Sequence, residues 1–209
     1  NRTLSALKRV WNFGLDRDIL DATPFTRIKP PTKETPRDRV LSADEIATFW
    51  NGLPGTNMSE GSRLALKLLL ATAQRRSEVV LATWSEFDLE ENVWSIPPER
   101  SKNGIANRIP LSPLSLGLLS QIKALSGDSD YLFPSPRGNR KPIGPVALSH
   151  AVKNNIATWG LAGFTSHDLR RSAASSMAQL GITRLVTEKI LNHKDRGVAG
   201  IYDRYGYDN

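Results

Sequence analysis

The sequence predicts an α+β fold, mainly helical, interrupted by one small three-stranded antiparallel sheet. Over most of the chain, apolar residues recur at helical spacing behind clear capping residues. Between Trp84 and Leu111 that period gives way to short aromatic and β-branched runs separated by turn formers. The length of 209 residues allows one sizeable core with an appendage rather than two full domains.

Taken in chain order, Leu4, Leu7, Val10, Trp11 and Leu15 form one apolar stripe, with Arg2, Lys8, Arg9 and Arg17 on the opposite face. One such helix is too small to be a domain. The stretch 28–39 holds three prolines and four basic residues and reads as an extended, solvated linker. Residues 1–27 are therefore expected to be the last helix of a truncated preceding domain, 28–41 the linker and 42–209 the main domain. Ser42-Ala-Asp-Glu45 is a capping box that opens a helix with Ile46, Phe49 and Trp50 on its apolar face. Leu64, Leu66, Leu68, Leu69 and Leu70 are too dense for a surface helix and predict a buried one running towards Arg75.

Residues 84–89, 93–96 and 107–111 are the three expected strands, and the second connection contains Ser101-Lys-Asn-Gly104. Ser112 followed by Pro113 opens a helix through Leu125, and 145–159 form another. Thr165-Ser166 caps a third helix, which runs to about Leu180 and is stopped by Gly181. A fourth covers 183–191, and 198–202 lie in a short last one.

Composition narrows the function. Lys plus Arg is 28 against 21 for Asp plus Glu, a net charge of +7 that favours a polyanionic partner, nucleic acid or an acidic membrane surface. The absence of cysteine excludes disulfide frameworks, thiolate metal sites and cysteine nucleophiles, and suits a reducing compartment. No stretch approaches the roughly 18 apolar residues of a membrane span, so a cytoplasmic protein, cut from something longer, is expected. Asp88, Glu90 and Glu91 are the one dense acidic group, and a solvated turn accounts for them better than a metal site.

Four features carry chemistry: Arg75-Arg-Ser-Glu78 after the buried helix, Lys102 in a hairpin, His167-Asp-Leu-Arg170 at a helix start, and His193 nine positions before Tyr202. Singly, each has an ordinary explanation. Arg75 pairs with Glu78 at i,i+3, a hairpin lysine aids solubility, a first-turn histidine makes local hydrogen bonds and a late tyrosine packs.

In this order and spacing they resemble the catalytic domain of the tyrosine recombinases, the phage integrase family. Thr72-Ala-Gln-Arg75-Arg-Ser-Glu78 sits where that family has Thr-Gly-Leu-Arg-x-x-Glu. Trp84-Ser-Glu-Phe-Asp88 is similar to its passage into the sheet. Glu99-Arg-Ser-Lys102-Asn-Gly with Arg108-Ile-Pro-Leu111 is similar to its hairpin lysine and following strand, and Tyr131-Leu-Phe-Pro134 to its short extended segment. His167-Asp-Leu-Arg170-Arg matches its His-x-x-Arg helix, and Leu191-Asn-His193 with Ile201-Tyr202 its histidine and nucleophile. The resemblance covers roughly 42–205 and implies the DNA breaking-rejoining fold.

Attack on a phosphodiester builds negative charge on the non-bridging oxygens, so two permanently protonated guanidiniums suit the clamp; Arg75 and Arg170 are assigned to it. The resemblance makes Tyr202 the nucleophile, leaving a 3′-phosphotyrosine bond. It makes Lys102 the general acid for the departing 5′ oxygen, His167 an acid/base group and His193 a donor to the phosphate. Glu78 and Asp168 are expected to orient the arginine and the histidine. Arg100, Arg108, Arg137, Arg140, Lys141 and Arg171 are the candidate DNA-backbone contacts, with 137–141 a flexible basic loop. His150 is read as structural or surface.

Because the phosphotyrosine bond keeps the energy of the broken phosphodiester, neither metal nor ATP is required, and no cofactor is expected. The resemblance implies double-stranded DNA as partner, a homo-tetramer on DNA for the full-length protein, accessory DNA-bending proteins, and integration or excision of a prophage or genomic island. Two alternatives stay open: a type IB topoisomerase with the same chemistry, and a non-catalytic DNA-binding regulator. The chain departs from the family at Ala73-Gln74, where Gly-Leu is common, and at Asn192, where glycine is usual; Asn tolerates a left-handed turn. It also stops seven residues after Tyr202, before the family's segment that docks on a neighbouring subunit, and lacks most of the core-binding domain.

Overall fold

The computed structural model describes residues 1–33, 38–136 and 138–193, with 139 and 140 described by backbone alone. The chain divides into two compact units, Asn1–Asp38 and Arg39–Asn209.

The first unit is built on α1 (Arg2–Leu15). Trp11 meets Phe25 edge-on, with ring centroids 5.1 Å apart. Gly14 is buried, and a Cβ there would come within 2.7 Å of the Leu20 side chain, so the chain doubles back tightly after the helix. Residues 28–32, expected to be an extended, solvated linker, are exposed and held beside α1 by side-chain hydrogen bonds. Lys8 Nζ donates to the Ile28 carbonyl at 3.0 Å, and the Asn1 side chain exchanges two hydrogen bonds with the Thr32 backbone at 2.8 and 3.3 Å. The prolines deny this stretch any ladder of its own, and the side chains of Asn1 and Lys8 satisfy backbone groups of Thr32 and Ile28 instead.

The second unit begins inside the expected linker. Leu41 is buried, and its N–H donates to Ser172 Oγ at 2.8 Å. The predicted capping box then opens α2 (Ala43–Gly52): Ser42 Oγ accepts from the Glu45 N–H, and the Glu45 carboxylate accepts from the Ser42 N–H. The centre is α3 (Glu60–Thr72), whose Leu64, Leu66, Leu68 and Leu69 are fully enclosed. It lies against α5 (Pro113–Ser126) and α7 (Ser166–Gln179). Phe49, Trp159 and Phe164 form a ring cluster with centroids 5.3 to 5.6 Å apart, closing α2 and α6 (Pro145–Trp159) over the core.

Helix α3 ends at Thr72, short of the expected Arg75. Ala73 adopts a left-handed φ of 55°, which interrupts the ladder, and the chain restarts as α4 (Arg76–Val80). The sheet follows in the order β1 (Phe87–Asp88), β2 (Val93–Ile96), β3 (Asn107–Pro110), all antiparallel. The first strand is shorter than predicted because Trp84–Glu86 forms a turn of 3-10 helix. In β3, Asn107 and Ile109 face inward while Arg108 and Pro110 are exposed. Asp88 Oδ1 accepts from the N–H groups of Glu90 and Glu91, so the acidic group is a capped turn.

A second hairpin was not foreseen. β4 (Pro134–Ser135) pairs with β5 (Gly138–Pro142), so 138–141, expected as loop, are strand. Buried Leu132 and Phe133 anchor it, and the Ile143 N–H closes it on the Phe133 carbonyl at 2.9 Å. The last described helix is α8 (Arg184–Ile190). The expected helix at 198–202 lies outside the described residues, among which no helix is long and apolar enough to cross a membrane.

Candidate active site

The C-terminal end of α8 sits at the centre of the predicted constellation. A helix end leaves its last carbonyls without partners along the chain, and at 190–192 side chains from three other elements supply them. The Ile190 carbonyl accepts from Gln74 Nε2 at 2.9 Å and from Asn107 Nδ2 at 3.4 Å. The Leu191 carbonyl accepts from the guanidinium of Arg170, whose other nitrogen donates to the Ala73 carbonyl at 2.7 Å. The Asn192 carbonyl accepts from Arg75 at 3.3 Å and from Asn103 Nδ2 at 2.7 Å. Both arginines of the motif thus converge on one segment, immediately before His193. Cations at the negative end of a helix are also favourably placed.

Each arginine is positioned by its local sequence. Arg75 precedes α4, and Glu78, only 1% exposed, receives both the Arg75 backbone N–H and its guanidinium at 2.8 Å. Arg170 lies on the buried face of α7, which Thr165 caps by accepting from the Asp168 N–H. Burial, then the neighbouring Arg75, lowers the Arg170 pKa to about 10, with Glu78 opposing. Two guanidiniums held this close repel each other, and an anion entering between them relieves that repulsion while accepting charge-assisted hydrogen bonds.

His167, in the first turn of α7, is exposed. Its pKa is pushed below the ordinary 6.5 by partial burial and by the charges of Arg171, Arg170 and Lys102, against Asp168. Lys102, exposed in the turn between β2 and β3, is therefore within electrostatic reach of the histidine. His193 Nδ1 bonds Glu188 Oε2, which fixes the ring and leaves Nε2 for another partner, and the backbone N–H of His193 donates to the Glu188 carbonyl at 3.0 Å.

Three expectations change. Asp168 does not orient His167 by a hydrogen bond: its carboxylate is engaged by the Thr165 N–H and hydroxyl and by Arg171 at 3.1 Å. Arg100 is turned away from a DNA-contact role, since it donates to the buried Glu86 at 2.8 Å and to the Glu78 carbonyl at 3.0 Å. Trp94 Nε1 shares that carboxylate, so Arg100 neutralises a buried acid beneath the sheet. Third, Gln74 and Asn192, which stood out only as departures, are joined with Asn103 and Asn107 in the polar network that holds the site together. Arg108 and Lys141 are exposed on strands, and Arg171 is half-exposed. Tyr202 and Arg137 lie outside the described residues, as does the Arg140 side chain.

The phage integrase family model matches residues 39–207, most of the chain and all of the described part of the second unit. The chain belongs to the phage integrase family. Prophage integrase IntA of Escherichia coli (strain K12) is 28% identical over 213 residues, covering 99% of this chain and 50% of the relative. The tyrosine recombinase XerA of Pyrococcus furiosus is 25% identical over 207 residues, covering 98% and 68%. A lambda integrase tetramer bound to a Holliday junction matches in structure with a TM-score of 0.72 at 21% identity, covering 92% of this chain and 57% of that one. The likeness to lambda integrase establishes the phage integrase fold, and with it the mainly helical α+β class. The chain spans about half the length of the prophage integrase it matches.

Proposed function

We propose that this member of the phage integrase family is the catalytic part of a site-specific DNA recombinase that integrates or excises a prophage or genomic island. The observation that carries this reading is the convergence of Arg75 and Arg170 on 190–192 beside His193, with Lys102 and His167 within electrostatic reach.

Arg75 and Arg170 grip the non-bridging oxygens of one DNA phosphate, each charge-assisted bond contributing about 1.5–3 kcal/mol. His193 donates to the same oxygens through Nε2 when it carries the proton there. Tyr202 loses its phenolic proton to His167, and its oxygen forms a bond to phosphorus as the bond to the 5′ oxygen breaks. The electron pair leaves on that oxygen, which takes a proton from the Lys102 ammonium. The bond energy stays in the 3′-phosphotyrosine, so a 5′ hydroxyl of another strand reverses the step on a new partner, with neither metal nor ATP. Arg108, Lys141, Arg171, Arg137 and Arg140 contact the DNA backbone.

Residues 1–27 form the end of a core-binding domain, and the full-length protein works as a tetramer on DNA in the cytoplasm, assisted by DNA-bending proteins. The tetrameric lambda integrase on a Holliday junction supports that assembly. The test is a nicked suicide duplex offered to full-length protein. A covalent adduct that disappears in Tyr202→Phe is expected, and absence of any adduct with the unsubstituted protein refutes the reading. Strand exchange between two duplexes separates a recombinase from an enzyme that only relaxes supercoils.

A further inference from the structure

The turn 101–105 between β2 and β3, which carries Lys102, is fastened by two asparagines to the segment 190–192 on which both arginines converge. Asn103 Nδ2 donates to the Asn192 carbonyl at 2.7 Å and to Asn192 Oδ1 at 3.1 Å. In return, Asn192 Nδ2 donates to Ser101 Oγ at 3.1 Å and to the Ile105 carbonyl at 3.0 Å. Ser101 Oγ completes the ring by donating to Asn103 Oδ1 at 2.7 Å, which also accepts the Ile105 N–H. Both chain neighbours of Lys102 are thereby locked while its own side chain stays exposed. The Asn192 carbonyl that takes Asn103 is the one that takes Arg75. Asn192 is buried and stands at φ 46°, a left-handed conformation that glycine would adopt more easily, keeping the carbonyl but supplying none of the three side-chain bonds to Asn103, Ser101 and Ile105.

We propose that Asn192 is a positioning residue, which with Asn103 holds the turn 101–105 against the arginine floor so that Lys102 is in place to protonate the leaving 5′ oxygen. This rests on the reading of Lys102 as the general acid. Glycine at 192 would preserve the turn into His193 and the carbonyl that takes Asn103 and Arg75, but would lose the three side-chain bonds of the lock, leaving the lysine less firmly placed in every catalytic event.

The test uses the full-length protein and two duplexes that differ in one atom at the cleaved bond, an ordinary 5′ oxygen or a bridging 5′ sulfur. A thiolate is a far better leaving group than an alkoxide and departs without a proton, so the sulfur duplex bypasses the general acid. On the oxygen duplex, Asn192→Gly slows single-turnover cleavage about tenfold, part of the 10²–10⁴ that a positioned acid contributes. On the sulfur duplex it cleaves at the unsubstituted rate, as does Lys102→Ala. Asn103→Ala, which leaves the backbone at 192 untouched, gives the same pattern. Equal slowing on both duplexes would make Asn192 merely structural, and an unchanged rate on the oxygen duplex would show that Lys102 does not need it; either overturns the proposal. If Lys102→Ala is as slow on sulfur as on oxygen, or the unsubstituted protein forms no adduct, the catalytic reading itself falls and takes the proposal with it.

Discussion

The buried floor and the exposed rim of the candidate site carry the same kinds of side chain in opposite circumstances. On the floor, Arg170 is 4% exposed, both its terminal nitrogens are engaged by backbone carbonyls, and Gln74, Asn107 and Asn192 are buried around it. At the rim, Lys102 and His167 are exposed, as are Arg108 on β3 and Lys141 on β5 elsewhere on the surface. A buried cation is tolerated only when fully partnered, so the floor is rigid before any ligand arrives. An exposed one costs little and stays adjustable. The floor therefore couples stability to activity, whereas the rim separates them.

Substituting across that divide gives the largest effects. Arg170→Ala leaves the carbonyls of Ala73 and Leu191 buried without their charged donor, and is expected to lower the unfolding free energy by about 2–4 kcal/mol while abolishing the covalent adduct. Lys102→Ala should slow cleavage by about 10²–10⁴ yet change stability by under about 0.5 kcal/mol. Urea unfolding alongside suicide-substrate cleavage reads both, and equal destabilisation by the two variants would erase the distinction.

Glu78→Ala comes next. It removes the acceptor of both the Arg75 N–H and its guanidinium, with an expected cost of about 1–3 kcal/mol and a larger loss of cleavage than of overall DNA affinity. Comparable losses in both would place Glu78 in general DNA binding rather than in holding Arg75.

The rim histidine gives a smaller, pH-dependent effect. Folding lowers the His167 pKa below 6.5, so the unfolded chain takes up the proton more readily. The stability tied to this residue is complete above pH 6.5 and is lost as pH falls from there through the folded value. His167→Gln should flatten that part of the urea-midpoint profile. Arg171→Ala, by removing a cation, should raise the His167 titration followed by NMR; a downward move would contradict the electrostatic cause. Smallest of all, Lys141→Ala should reduce the slope of log affinity against log salt by about 0.9 if it meets one phosphate, with stability unchanged.

What was legible in the sequence is what depends on near neighbours. Ser42, Ser112 and Thr165 announced α2, α5 and α7 because a cap and its N–H partner lie three residues apart. The run that forms β3 was equally visible. Ala73 was not legible as a break: the buried leucines predict continuation, and nothing in an alanine codes for a left-handed turn. Residues 138–141 read as loop from their glycine and basic residues, while their strand pairing depends on the anchoring of Leu132 and Phe133 in the core. Arg100 looked like a DNA contact because its acid, Glu86, sits fourteen positions earlier and gives no local signal. The polar network of Gln74, Asn103, Asn107 and Asn192 was hidden for the same reason, although two of its members had already marked themselves as departures.

The bonds that make the floor also set when it can exist. Arg170 reaches Ala73 across 97 positions, Gln74 reaches Ile190 across 116, and Arg75 reaches Asn192 across 117. Loops that long close late, after local helices and hairpins have formed. A chain that has formed α3, the sheet and α7 but not α8 lacks the carbonyls at 190–192 on which Arg75 and Arg170 converge. The pairing of the two arginines on one segment is in this way among the last features of the fold to form.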